Sequence, residues 1–92
     1  MDNTTEILVA EAQLGREAEK FFESDLGRYI EGAVKQEVQA ATDALISVDP
    51  NDTQEIIRLQ NKIRTAEAGV GYLKELIIKG VQAIQIIESR ED

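Results

Sequence analysis

The 92-residue chain contains no histidine, no cysteine and no tryptophan, and it has a single proline. Without histidine it lacks the usual general base of a nucleophilic triad, and it lacks the Glu-x-x-His pairs of helical di-iron sites. Without cysteine it can form neither disulfides nor thiolate metal sites. We therefore predict a non-enzymatic protein with no catalytic residues, no bound cofactor and no metal site.

Basic residues are also scarce, because 10 Lys and Arg stand against 18 Asp and Glu, for a net charge of -8. Such a charge repels phosphates, so we predict neither a nucleic-acid partner nor a membrane-surface partner. Arg58, Lys62 and Arg64 form the one local basic cluster, and we expect them to pair with the acidic upstream half. No apolar run approaches the roughly 18 residues of a membrane span, and the first residues do not resemble a secretory signal.

The most regular feature of the chain is an apolar repeat with alternating spacings of three and four residues between Ile56 and Ile87. This is the stripe of a helix that packs lengthwise on another helix. Asp52 lies three residues before Glu55, a capping-box spacing, so a helix over 53-89 is predicted. The residues of the stripe are Ile56, Leu59, Ile63, Ala66, Val70, Leu73, Ile77, Gly80, Ile84 and Ile87.

Two more helices are predicted upstream, over 4-23 and 25-48, and the segment around Pro50 separates the second of them from the last helix. The first has one apolar face, made of Ile7, Ala10, Leu14, Ala18 and Phe21. A possible N-cap, Ser24 or Asp25, favours a kink or short break near Ser24 over a true loop. The predicted fold is all-α and a single domain over 1-92: a long antiparallel helical hairpin with a kink or break near Ser24.

The second half of the last helix is apolar over most of its circumference, which is more than one partner helix can cover. The N-terminal segment can cover part of this surface, and a second subunit is the expected complement, giving an oligomeric helix bundle. Glycines within helices indicate either close helix crossing or simple tolerance. The predicted oligomer interface consists of Gly69, Leu73, Leu76, Ile77, Gly80, Val81, Ile84 and Ile87.

Part of the sequence resembles small uncharacterised all-helical proteins of tailed bacteriophages and prophages. The resemblance is carried by Phe21, by residues 24-29 and 48-50, and by the Leu-Gln-Asn-Lys-Ile run at 59-63. It implies a phage-encoded protein in the bacterial cytoplasm or associated with the virion, and it supplies no catalytic or binding residues. The hairpin with a proline-containing turn is also similar to type III secretion needle subunits, although the second proline usual in such turns is missing.

These features together predict an assembly or interaction protein that forms homo-oligomers through its apolar C-terminal helix. The alternative is an acidic adaptor or inhibitor that binds a basic host or phage protein. That alternative rests on the first 46 residues, which hold ten acidic and four basic side chains.

Overall fold

The computed structural model describes residues 3-90, which form three helices: α1 (Asn3–Glu23), α2 (Asp25–Ser47) and α3 (Thr53–Arg90). The all-α prediction is therefore confirmed. The structure has three helices rather than a single hairpin, because the upstream arm consists of two separate helices. The helix ends lie within one residue of the predicted 4-23, 25-48 and 53-89.

Ser24 alone separates α1 from α2, and its backbone is extended with φ -75° and ψ 159°. The Ser24 hydroxyl accepts a hydrogen bond from the Gly27 N–H at 3.0 Å and donates one to the Phe21 carbonyl. Of the two candidate N-caps, the structure therefore uses Ser24 and not Asp25. The helix ends are so close that a Cβ on Gly27 would overlap the Phe21 carbonyl, so the local signals of cap and glycine act together.

The connection between α2 and α3 is a short turn around Pro50. The Asp49 carboxylate accepts from the Asn51 N–H at 2.9 Å, and the Asp52 carboxylate accepts from the Glu55 N–H at 3.2 Å. The predicted cap by Asp52 is thus confirmed. The second hydrogen bond of a capping box, from the Asp52 N–H to the Glu55 carboxylate, is not formed. Instead the Asp52 N–H donates to the Asp49 carbonyl, and the Glu55 carboxylate accepts from Arg58 at 2.9 and 2.6 Å.

Both upstream helices run antiparallel to α3, with α1 along its C-terminal half and α2 along its N-terminal half. Gly15 of α1 lies opposite Gly80, and Glu31 of α2 forms an ion pair with Lys74 at 3.1 Å. The molecule measures 59 × 29 × 18 Å. At about 1.5 Å per residue, α3 runs nearly the whole length, so it is the element on which the other two are arranged.

The core of the described residues is thin and built mainly from small or medium side chains. No large side chain within residues 3-90 is completely shielded from solvent. A chain this short buries a modest fraction of its surface, so single-chain packing leaves apolar area exposed. The buried apolar residues are Leu8, Ala18, Ala41, Leu59, Val70 and Ala83.

Candidate interaction surface

Helices α1 and α3 approach each other closely where they cross at Gly15 and Gly80, which are both buried. A Cβ on Gly15 would lie 2.9 Å from the Leu76 carbonyl oxygen and 3.0 Å from the Gly80 Cα. A Cβ on Gly80 would lie 3.0 Å from the Gly15 Cα. Gly80 therefore serves close helix approach within the chain, whereas Gly69 is exposed and has open space where its Cβ would be.

This crossing turns the apolar face of α1 partly away from α3. Leu8, Gly15 and Ala18 are buried, but Ile7 and Leu14 remain 57% and 46% exposed. Each of these two residues precedes a buried one, which rotates it about 100° around the helix. One edge of the predicted apolar face of α1 is consequently left without a partner among residues 3-90.

The exposed edge of α1 and the adjoining edge of α3 form a groove of about 320 Å³. We call this the α1/α3 groove. Two large apolar side chains of α3, Tyr72 and Ile86, are 69% and 43% exposed, and heptad spacing from Leu76 places them on the same side. The groove is lined by Leu14, Glu17, Ala18, Phe21, Leu73 and Leu76.

By helical spacing, a charged side chain lies on the same side of α3 as this groove. Positions 72, 76, 79, 83, 86 and 90 follow alternating spacings of four and three, so Lys79 lies between Leu76 and Ile86 along one stripe. Glu17 lines the α1 edge. Both side chains are exposed, and neither makes an ion pair within 4.0 Å with a described residue.

The predicted oligomer interface is distributed over several surroundings. Leu73 and Leu76 line the α1/α3 groove, whereas Ile84 and Ile87 line a second groove on the other side of α1, beside Val9. Ile77 is half-buried, Gly80 is buried against α1, and Val81 and Gly69 are exposed. Part of the surface that was predicted to contact another subunit is thus covered by α1 of the same chain.

Sequence reasoning missed two contributors to this surface. Gly15 was not recognised as the partner of Gly80, although Gly15 and Ala18 repeat the spacing of Gly80 and Ala83, and matching small residues were the available signal. The second contributor is the outward edge of α1. The apolar stripe of α3 does not indicate which edge of α1 remains uncovered when the two helices pack together.

One lysine of α3, Lys74, contacts both of the helices that meet at the junction of α1 and α2. Lys74 makes the ion pair with Glu31 and lies 6.0 Å from the ring centroid of Phe22, which packs edge-on to Phe21 at 5.5 Å. The expectation that Arg58 pairs with the upstream half is wrong, because Arg58 pairs with Glu55 in its own helix at 2.6 Å. The ion pair between the upstream half and α3 therefore uses Lys74.

Another groove, between α2 and α3, is lined by Val34, Val38, Val70 and flanking charged side chains. Within residues 3-90, no three His, Cys, Asp or Glu side chains are grouped so that they could hold a metal ion. The described grooves thus offer apolar surface and scattered charges. Convergent polar groups, which a catalytic or small-molecule site requires, are not assembled in them.

No family model, no curated protein and no solved structure matches this chain. None of the helices in the described part of the chain is both long and apolar enough to cross a membrane.

Proposed function

We propose that this chain is a non-enzymatic helical assembly protein that self-associates by covering the α1/α3 groove. The observation that carries the proposal is the exposure of Ile7, Leu14, Tyr72 and Ile86 along one edge of a helix pair whose own core is thin. Apolar side chains that follow the heptad spacing along both helices are typical of a surface that receives further helices. The C-terminal helix contributes half of this surface, as its composition predicts.

The size of the apolar surface supports association of moderate strength. Full burial of one such side chain is worth about 1.5–3 kcal/mol, so burying the exposed half gains about 1 kcal/mol. Two copies would bury eight of these side chains, a gain of the same order as the roughly 4–15 kcal/mol cost of association. We therefore expect an equilibrium that depends on protein concentration, and Phe21 and Leu76 add further area.

We further propose that the chain is encoded by a bacteriophage or prophage and acts in the bacterial cytoplasm or in the virion. The support for this origin is the residue pattern at Phe21, 24-29, 48-50 and 59-63. Small helical subunits that self-associate suit an assembly role. The residue pattern that supports a phage origin does not depend on the α1/α3 groove.

The alternative function, an acidic adaptor for a basic protein, is favoured by one observation. Among the acidic side chains of residues 3-90, Glu31 and Glu55 alone take part in ion pairs. The remaining carboxylates of α1 and α2 outnumber the basic side chains of these helices and leave a net negative surface, whose attraction for basic partners is weakened by salt. An adaptor of this kind has no need to self-associate.

The test is the molar mass of the wild type, Leu14→Asp and Ile46→Asp by sedimentation velocity over a concentration series. Ile46 is the matched control, because it is 80% exposed on α2 and lies outside the groove. We expect the molar mass of the wild type and of Ile46→Asp to increase with concentration. Leu14→Asp should keep the molar mass of a monomer, and its circular dichroism should show that it is still helical. A wild type that stays monomeric throughout, or a Leu14→Asp variant with unchanged mass, would overturn the proposal.

A further inference from the structure

The two edges of the α1/α3 groove carry opposite charges. Glu17 lines the groove on the α1 side, and helical spacing places Lys79 on the same side of α3; both side chains are exposed. Neither of them forms an ion pair within 4.0 Å with a described residue. The groove therefore combines an apolar floor with an acidic edge and a basic edge, which is a requirement for a surface that is complementary to itself.

The position of Lys79 restricts what can cover the groove. Because Lys79 lies between Leu76 and Ile86 on the same stripe, a helix that covers these apolar side chains also takes Lys79 out of water. A desolvated ammonium group is costly unless a carboxylate is placed beside it. The occupant must therefore be apolar along its length and must carry an acidic side chain at the level of Lys79.

A second copy of this chain supplies such a helix in its own α1. Gly15 and Gly80 are at the same level along the helix pair, because they touch. Glu17 follows Gly15 by two residues, about 3 Å along the axis, and Lys79 precedes Gly80 by one residue, about 1.5 Å in the same direction. Since α1 and α3 are antiparallel, Glu17 and Lys79 stand at nearly the same level.

Two copies can bring the same groove face to face in two ways. A two-fold axis parallel to the helices lays α1 of each copy on α3 of the other and leaves levels unchanged, so Glu17 meets Lys79 of the second copy. A two-fold axis across the helices lays α1 on α1 and α3 on α3, and when it passes at the level of the crossing, Glu17 approaches Glu17 and Lys79 approaches Lys79. Like charges in contact are destabilising, so the first arrangement is favoured.

We infer that the occupant of the α1/α3 groove is a second copy of this chain, related by a two-fold axis parallel to the helices. In this dimer Glu17 of each copy pairs with Lys79 of the other, so two pairs form per dimer. The inference rests on the proposed self-association and assigns its partner, its geometry and its charge contacts.

Charge exchange tests this arrangement. The parallel axis predicts that Glu17→Lys alone places Lys against Lys, and that Lys79→Glu alone places Glu against Glu. Each variant should dimerise at least about tenfold more weakly than the wild type. An equimolar mixture of the two variants should form a heterodimer with two attractive pairs, and the double variant should recover the wild-type association.

The controls are Glu37→Lys on α2 and Lys62→Glu on α3, which make the same charge changes at exposed positions outside the groove. Association is measured by sedimentation velocity, and heterodimers are distinguished by native mass spectrometry. Both controls should keep the wild-type association, and mixing them should give no preference for the heterodimer.

The possible results distinguish a failure of the parallel two-fold arrangement from a failure of the proposed self-association. If the wild type dimerises but the mixed variants show no preference for each other, the parallel axis is wrong and self-association stands. If the two single variants dimerise as well as the wild type, the Glu17–Lys79 contact is likewise refuted. If the wild type is monomeric at all concentrations, the proposed function fails and the arrangement fails with it.

Discussion

The glycine crossing of α1 and α3 makes a prediction whose sign differs between positions in the same fold. Gly15→Ala and Gly80→Ala should destabilise the protein, whereas Gly32→Ala and Gly71→Ala should stabilise it. All four glycines lie within helices. A Cβ on Gly32 or Gly71 would meet no atom within 4 Å, whereas a Cβ at the crossing meets backbone of the opposing helix.

The magnitudes follow from two opposing effects. Replacing glycine by alanine in a helix interior gains about 1 kcal/mol of helix propensity at each position. At Gly32 and Gly71 nothing offsets this gain. At Gly15 the Cβ would lie 2.9 Å from the Leu76 carbonyl oxygen, so the helices must separate by roughly 0.5–1 Å, and overpacking of this kind costs about 1–3 kcal/mol.

The net expectation is a loss of up to about 2 kcal/mol at Gly15 or Gly80 and a gain of about 1 kcal/mol at the two controls. The double variant Gly15→Ala with Gly80→Ala should lose less than the sum of its parts. The first methyl group already parts the helices, and the second enters the space so created. Such non-additivity is expected for residues that share one contact.

The assay is urea unfolding followed by circular dichroism at one fixed protein concentration, because the proposed self-association would add to the apparent stability. The free energy of unfolding is compared between the crossing variants and the control variants. A Gly15→Ala variant that is stabilised as much as Gly71→Ala would show that α1 and α3 do not touch at this point, and the placement of the groove would then be wrong.

Two further predictions concern the helix ends. Ser24→Ala should lower the free energy of unfolding by about 1 kcal/mol and Ser24→Asp should retain most of it, measured by urea unfolding, because an aspartate can still accept from the Gly27 N–H. The hydrogen bond from Arg58 holds the pKa of Glu55 below its ordinary 4.5, so NMR titration of Arg58→Met should show a higher Glu55 pKa. Because the folded pKa is the lower one, this contact stabilises the fold above pH 4.5 and is lost as the pH falls through the folded pKa.

The helices and their breaks could be predicted because their signals are local. Ser24 and Gly27 end one helix and begin the next within four residues, and Pro50 lies between Asp49, which accepts from the Asn51 N–H in the turn, and Asp52, which caps α3. The partner of Glu55 could not be predicted from spacing. Its carboxylate has both the Asp52 N–H and the Arg58 guanidinium within reach, and the charged donor forms the stronger hydrogen bond.

The rotation of α1 against α3 is the part of the fold that local patterns did not determine. The apolar face of α1 includes Leu14 and Phe21, but the structure brings its neighbour Gly15 into the contact. The choice depends on where α3 has its own small residues, Gly80 and Ala83. Matching of small residues between distant segments is a property of the pair of helices and cannot be read from either helix alone.

The same rotation explains why the groove exists and what limits its occupant. A contact made of glycines brings two backbones close together, but it buries few large side chains, so Leu14 and Ile86 flank the contact and remain exposed. Any apolar helix would cover them, yet Lys79 lies among the side chains to be covered. A helix without a carboxylate at that level would leave a buried ammonium group unpaired, whereas in the proposed dimer α1 of the second copy brings Glu17 to it. In that proposal, the charge that weakens a purely apolar interaction favours this chain as its own partner.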